Sequence, residues 1–168
     1  MEKKDISTVL KLFNIQQQKY KMYYKMSQDD IVHWLMPKED AVWTYVIENP
    51  NEKGKAEVTD FFSMYRLCQS CTSNEFEHHG YEKMYSACLF YYGLTKNNLT
   101  DIIKKCLWLS KEHMEADAFS CMTVMDNDME MLRPLGFMPG DGCLHWYLVN
   151  WSLGDNTVEA KDIGTILI

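Results

Sequence analysis

No stretch of this 168-residue chain stays apolar for longer than the six residues from Ala87 to Tyr92. A membrane-spanning helix needs roughly 20 such residues, so no span is expected. Basic residues are also in deficit, with 17 Lys and Arg against 24 Asp and Glu and a net charge of −7. Binding to nucleic acid draws on a basic face, which excludes it as an expected partner. A cationic peptide suits this field better. The first residues, Met1-Glu2-Lys3-Lys4-Asp5, lack the apolar core of a secretory signal, so the chain reads as cytoplasmic with reduced thiols. There is no internal repeat, low-complexity tract or linker. The patterns GxSxG, Walker A, HExxH and GxGxxG do not occur, and nothing points to a side-chain triad.

What is present suits a folded core. Apolar residues make up 46% of the chain and aromatics 13%, which excludes a disordered chain. The length fits one domain over residues 1–168, able to bury roughly 70% of its unfolded surface. Four of the six cysteines sit in apolar stretches and read as small core residues.

Local patterns place the elements. Asp5 is positioned to cap a helix through Ile6, Val9, Leu10 and Phe13, running to about Lys19. Ser27 and Asp30 form a box-like cap for a short helix ending before Pro37. Val42 to Ile47 and Glu57 to Leu67 read as a hairpin around the turn Asn49 to Lys55. Cys68 to Glu82 is a polar loop, and Met84 to Tyr92 is a central strand. Leu99 to Met114 is an amphipathic helix. Ala118 to Val124 reads as a buried strand, Asp126 as the cap of a brief helix broken by Pro134, Leu144 to Trp151 as an aromatic strand and Ile163 to Ile168 as a last strand. Helices interleaved with strands predict α/β architecture, one mixed twisted sheet flanked by helices.

Several constellations carry potential chemistry. Cys68 and Cys71, followed by His78 and His79, could share a zinc ion or form a redox pair. The spacing is short for a finger, and an unliganded polar loop is the favoured reading. His33, His113 and His145 read as surface or hydrogen-bonded residues rather than catalysts. Asp126, Asp128 and Glu130 read as capping or solvated carboxylates. Asp141 differs because it stands between Gly140 and Gly142, where glycine permits close approach of a ligand; a turn capped by Asp is the alternative.

The element order resembles the N-acetyltransferase (GNAT) fold with its first strand missing. In such a fold the junction Tyr91 to Asn98 holds a glycine-rich phosphate cradle at a helix N-terminus. Only Gly93 is present, so the sequence argues against a CoA pyrophosphate site there.

A more specific resemblance covers nearly the whole chain. The blocks Met26 to Trp34, Val46 to Asn49 and Glu57 to Tyr65 resemble the second half of eukaryotic N-myristoyltransferases. So does Phe137 to Trp151, with its Gly140-Asp141-Gly142 and its Asn150-Trp151. The resemblance implies the peptide-binding half of an enzyme that transfers myristate from myristoyl-CoA to an N-terminal glycine. It implies that Asp141, Gly142, Cys143 and Leu144 line the peptide groove, with Leu167 beside the catalytic base. That base is the chain's terminal carboxylate, here on Ile168. No cofactor is expected to be held by this chain itself. The family's first-lobe motif is absent. The signature's Lys-Phe-Gly becomes Gly136-Phe137-Met138, Pro139 is inserted in the turn, and an aromatic-rich segment of the family that carries a small residue is replaced around Phe90, which is expected to narrow the groove. An acyl-CoA lobe from elsewhere, a second chain or another copy, is therefore expected for turnover. The alternative is a peptide-binding module that recognises N-terminal glycines without modifying them.

Overall fold

The computed structural model describes residues 1–70, 83–154 and 157–166. Helix α1 spans Ile6–Gln17 and turns Val9, Leu12 and Phe13 into the core. Asp5 does not cap it with its side chain. Its carboxylate instead accepts the Glu2 N–H at 2.7 Å, closing a short 3-10 turn over Lys3–Asp5. Helix α2, Gln28–Leu35, starts as expected. The Ser27 hydroxyl accepts the Asp30 N–H at 3.2 Å, and the Asp30 carboxylate accepts the Ser27 N–H at 2.8 Å. Such reciprocal capping satisfies two backbone donors that the helix itself leaves free.

Among the described residues the main sheet has four strands. Strand β1 is a separate pair of residues, Met22–Tyr23. Strands β2 (Val42–Pro50) and β3 (Ala56–Ser70) form the predicted antiparallel hairpin, and β4 (Lys83–Gly93) pairs antiparallel with β3. Helix α3, Leu99–Met114, then crosses to β5 (Ala118–Ser120), which lies parallel to β4. The order β2-β3-β4-β5 is therefore a mixed sheet, and the α/β expectation holds. Helix α4 is a single turn, Met129–Leu132. Strand β6, Ile163–Gly164, pairs parallel with β1 in a second, two-stranded sheet.

Further expectations need correction, among them the last strand, which is formed only over Ile163–Gly164 among the described residues. Strand β3 runs on to Ser70, because Cys68 keeps a ladder partner in Tyr85, so Cys68 is not in a loop. The strand expected over Ala118 to Val124 ends at Ser120, where pairing with Cys88 stops. The cap of α4 is Asp128, whose carboxylate accepts the Glu130 and Met131 N–H groups, not Asp126. Asp126 accepts a hydrogen bond from Gln16 at 2.8 Å instead.

A partly buried cation ties the sheet to α3. The Arg66 guanidinium lies 5.5 Å from the Trp43 ring centre and 4.8 Å from that of Tyr85. It donates to the Met114 carbonyl at 2.9 Å and pairs with Asp40. Stacking of a guanidinium on aromatic rings contributes about 1 kcal/mol per contact when desolvated, and the orphaned helix-end carbonyl adds a similar cost. Arg66→Ala should lower stability by about 2 kcal/mol. A denaturant titration checks this; a loss under half that value would mean the rings repack without the cation.

Among the described residues, no helix is long and apolar enough to cross a membrane.

Candidate functional site

An apolar cavity of about 240 Å³ opens where the described chain ends. Phe90 and Tyr91 of β4 form its floor, Trp34 of α2 and Tyr24 and Met26 its walls, and Thr165 and Ile166 its rim. Local structure explains each placement. From Ser86 onward every residue of strand β4 is buried, with α1 and α3 packed against it. Tyr91 meets Phe13 of α1 edge to face at 5.2 Å, and its ring lies tilted at 43° to that of Phe90 with centroids 4.5 Å apart. Such aromatic pairs hold their rings in fixed orientations.

The Tyr91 hydroxyl accepts the backbone N–H of Ile166 at 3.1 Å, and this bond is buried. Burial pushes the Tyr91 phenol above its ordinary range, so it stays protonated. The chain segment that leads to Leu167 and Ile168 is thus fastened to the cavity rim at Ile166, itself buried. Leu167 and Ile168 lie outside the described residues.

A second hollow of about 460 Å³ lies under the Gly140-Asp141-Gly142 block. Gly142, Cys143 and Leu144 line it, together with Met122, Met129 and Trp146. Asp141 is exposed and is not part of this lining. Of the predicted peptide-binding residues, the consecutive Gly142, Cys143 and Leu144 line this hollow, Asp141 does not, and Leu167 lies outside the described residues. The buried indole N–H of Trp146 finds no acceptor among the described residues. Cys121, also in the lining, is pushed up to about 12 by burial, so its thiol is not a nucleophile at neutral pH. The strand expected from Leu144 to Trp151 is not formed. Tyr147 and Trp151 are 83% and 79% exposed, and no neighbour pairs with this segment among the described residues.

Other candidates are placed without chemistry of their own. Cys68 is exposed on β3, while Cys71, His78 and His79 lie outside the described residues. Among the described residues, no group of three or more His, Cys, Asp or Glu could hold a metal ion. His33 packs edge to face on Trp34, and His113 on Trp108. His145 lies 6.3 Å from the Tyr147 ring. The cavity residues Tyr24, Trp34 and Tyr91 escape a sequence reading because aromatic residues at strand and helix spacing look like ordinary core; only Phe90 stands out, as a departure from the family.

Known proteins resemble this chain over its whole length. The chain is 30% identical over 168 residues to glycylpeptide N-tetradecanoyltransferase 1 of Arabidopsis thaliana, covering all of this chain and 36% of that protein. It is 32% identical to the Plasmodium falciparum enzyme of the same name, covering 38% of it. The chain thus spans well under half the length of these curated relatives. Among solved structures, Saccharomyces cerevisiae N-myristoyltransferase with bound myristoyl-CoA matches with a TM-score of 0.80 and 26% identity, over all of this chain and 46% of that one. A tetramutant of the BH1408 protein from Bacillus halodurans shares the fold alone, with a TM-score of 0.59 and 10% identity over 86% of this chain and 95% of that one. Residues 1–166 match the family described as myristoyl-CoA:protein N-myristoyltransferase, C-terminal domain, and the chain belongs to that family.

Proposed function

We propose that residues 1–168 form the peptide-holding unit of a myristate transfer to the N-terminal glycine of a protein substrate. The acyl-CoA-binding lobe comes from outside these residues, and the reaction runs in the cytoplasm. The observation that carries the reading is the apolar cavity rimmed by Ile166 and floored by Phe90 and Tyr91, beside the segment that leads to Ile168.

The chemistry follows from charge. An N-terminal amine has a pKa of about 8 and is mostly protonated at neutral pH. A carboxylate in apolar surroundings is a stronger base than in water and takes that proton. The free amine then attacks the thioester carbonyl carbon. The carbon–sulfur bond breaks, an amide forms, and CoA leaves as its thiol. In this reading the Ile168 carboxylate is the base. Leu167 lies beside it, and Asp141, Gly142, Cys143 and Leu144 hold the peptide. The acidic net charge favours approach of substrates with basic segments.

The test is direct. The purified chain, incubated with myristoyl-CoA and a glycine-started peptide, is expected to bind the peptide without acylating it. Adding an acyl-CoA-binding lobe from a relative should then give a peptide heavier by one myristoyl group. Peptide binding with no product under any complementation would support a recognition module instead. Absence of peptide binding would sink the reading.

A further inference from the structure

Asp60 is charged and fully buried, and the acyl-transfer reading does not use it. It sits on β3, yet its carboxylate reaches the junction between β4 and α3. One oxygen accepts three consecutive backbone N–H groups, from Thr95 at 2.6 Å, Lys96 at 2.9 Å and Asn97 at 3.3 Å. The other accepts the Asn97 side-chain amide and the Thr59 hydroxyl, each at 2.7 Å. Successive amides converging on one oxygen form an anion nest, the same device that cradles phosphates. Burial pushes the Asp60 carboxyl up, but the hydrogen bonds from Lys96, Thr59, Thr95 and Asn97 outweigh it and hold it below the usual carboxylate range. The group in the nest is therefore an anion.

This is the junction where the fold would present a phosphate cradle. We propose that the nest at Thr95, Lys96 and Asn97 is an anion site whose ligand is built into the chain, the Asp60 carboxylate, which excludes the phosphates of acyl-CoA from this lobe. The exclusion does not depend on a lack of glycine. The amides are there and suitably aimed, but each already has its acceptor. Thr59 and Lys96, which donate to Asp60, also line an open hollow at the surface together with Lys53 and the carboxylates of Glu52 and Glu57. The inference goes beyond the acyl-transfer reading and stands whether or not that reading holds.

Inorganic pyrophosphate and formate serve as probes, with chloride at equal ionic strength as the control. In the unaltered 168-residue chain, pyrophosphate is expected to leave the amide resonances of Thr95, Lys96 and Asn97 unmoved. In Asp60→Gly the thermal midpoint should fall. Pyrophosphate and formate should then raise it by several degrees, and the same three amides should shift. Asp60→Asn keeps the shape but loses the charge-assisted bonds. It should let pyrophosphate shift these amides at concentrations that leave the unaltered chain unmoved. If Asp60→Gly does not fold alone, it is expected to refold when either anion is supplied. Pyrophosphate shifting these amides in the unaltered chain would overturn the inference. So would a folded Asp60→Gly chain that responds to the anions no more than to chloride.

Discussion

Gly93→Ala is expected to destabilise the protein by about 3 kcal/mol, at the upper end of overpacking costs. A Cβ on Gly93 would stand 2.6 Å from Cε1 of Phe61 and 2.9 Å from both the carbonyl carbon and oxygen of Leu12. The Leu12 atoms are backbone of α1 and cannot rotate away. Phe61 is fully buried and has no space to move into. Relief therefore requires α1 to back off from the end of β4. That movement would open contacts made by Phe13, which packs on Tyr91 in the cavity floor. Gly140→Ala is the control, since a Cβ there meets nothing within 4 Å. It should change stability by less than about 0.5 kcal/mol. Denaturant midpoints of the two variants decide the matter. A Gly93→Ala chain within about 1 kcal/mol of the unaltered protein would show that α1 is held more loosely than these distances require.

The same glycine shows what a sequence makes legible. Residues Tyr91 to Asn98 suggest a phosphate cradle with too few glycines, and Gly93 looks like its remnant. In the fold Gly93 serves the packing of a helix encoded some eighty residues earlier. The real occupant of the junction, Asp60, lies 35 residues before Thr95. Spacing cannot reveal such a pairing, because the ladder of β3 and β4 creates it. Local features fared better for a physical reason. The Ser27–Asp30 box, the β2–β3 hairpin and α3 depend on neighbours within a few residues or on one periodic face. Leu144 to Trp151 shows the opposite limit. Its aromatic and β-branched residues fit a half-buried strand, but a strand exists only with a partner to bond. Among the described residues that partner is missing, and Tyr147, Val149 and Trp151 stay exposed. Gly142, Cys143 and Leu144, adjacent members of the predicted peptide-binding set, line one hollow. The apolar cavity, by contrast, is built from residues 24 to 166 and emerges only once β4, α2 and β6 have met.

Extending the chain by one glycine after Ile168 is expected to have the largest effect on function. With an acyl-CoA-binding lobe supplied, it should lower turnover by about a hundredfold to ten-thousandfold, the range for loss of a general base. The reason lies in geometry rather than in residue type. The added residue replaces the carboxylate at Ile168 with a neutral peptide group and moves the charge one residue along. Tyr91 fixes the backbone at Ile166 through a buried bond, so the segment cannot slide back to restore the old position without breaking it. Ile168→Ala keeps the carboxylate and should retain turnover within a few-fold. Peptide affinity should stay nearly constant in both variants, because the groove is untouched, so the loss falls on kcat rather than KM. For the unaltered chain, turnover should rise with pH towards the amine pKa of about 8, as less proton transfer is asked of the base. In the extended chain that dependence should steepen, since only peptide already deprotonated in solution can react. Equal turnover in the extended and unaltered chains would remove Ile168 as the base.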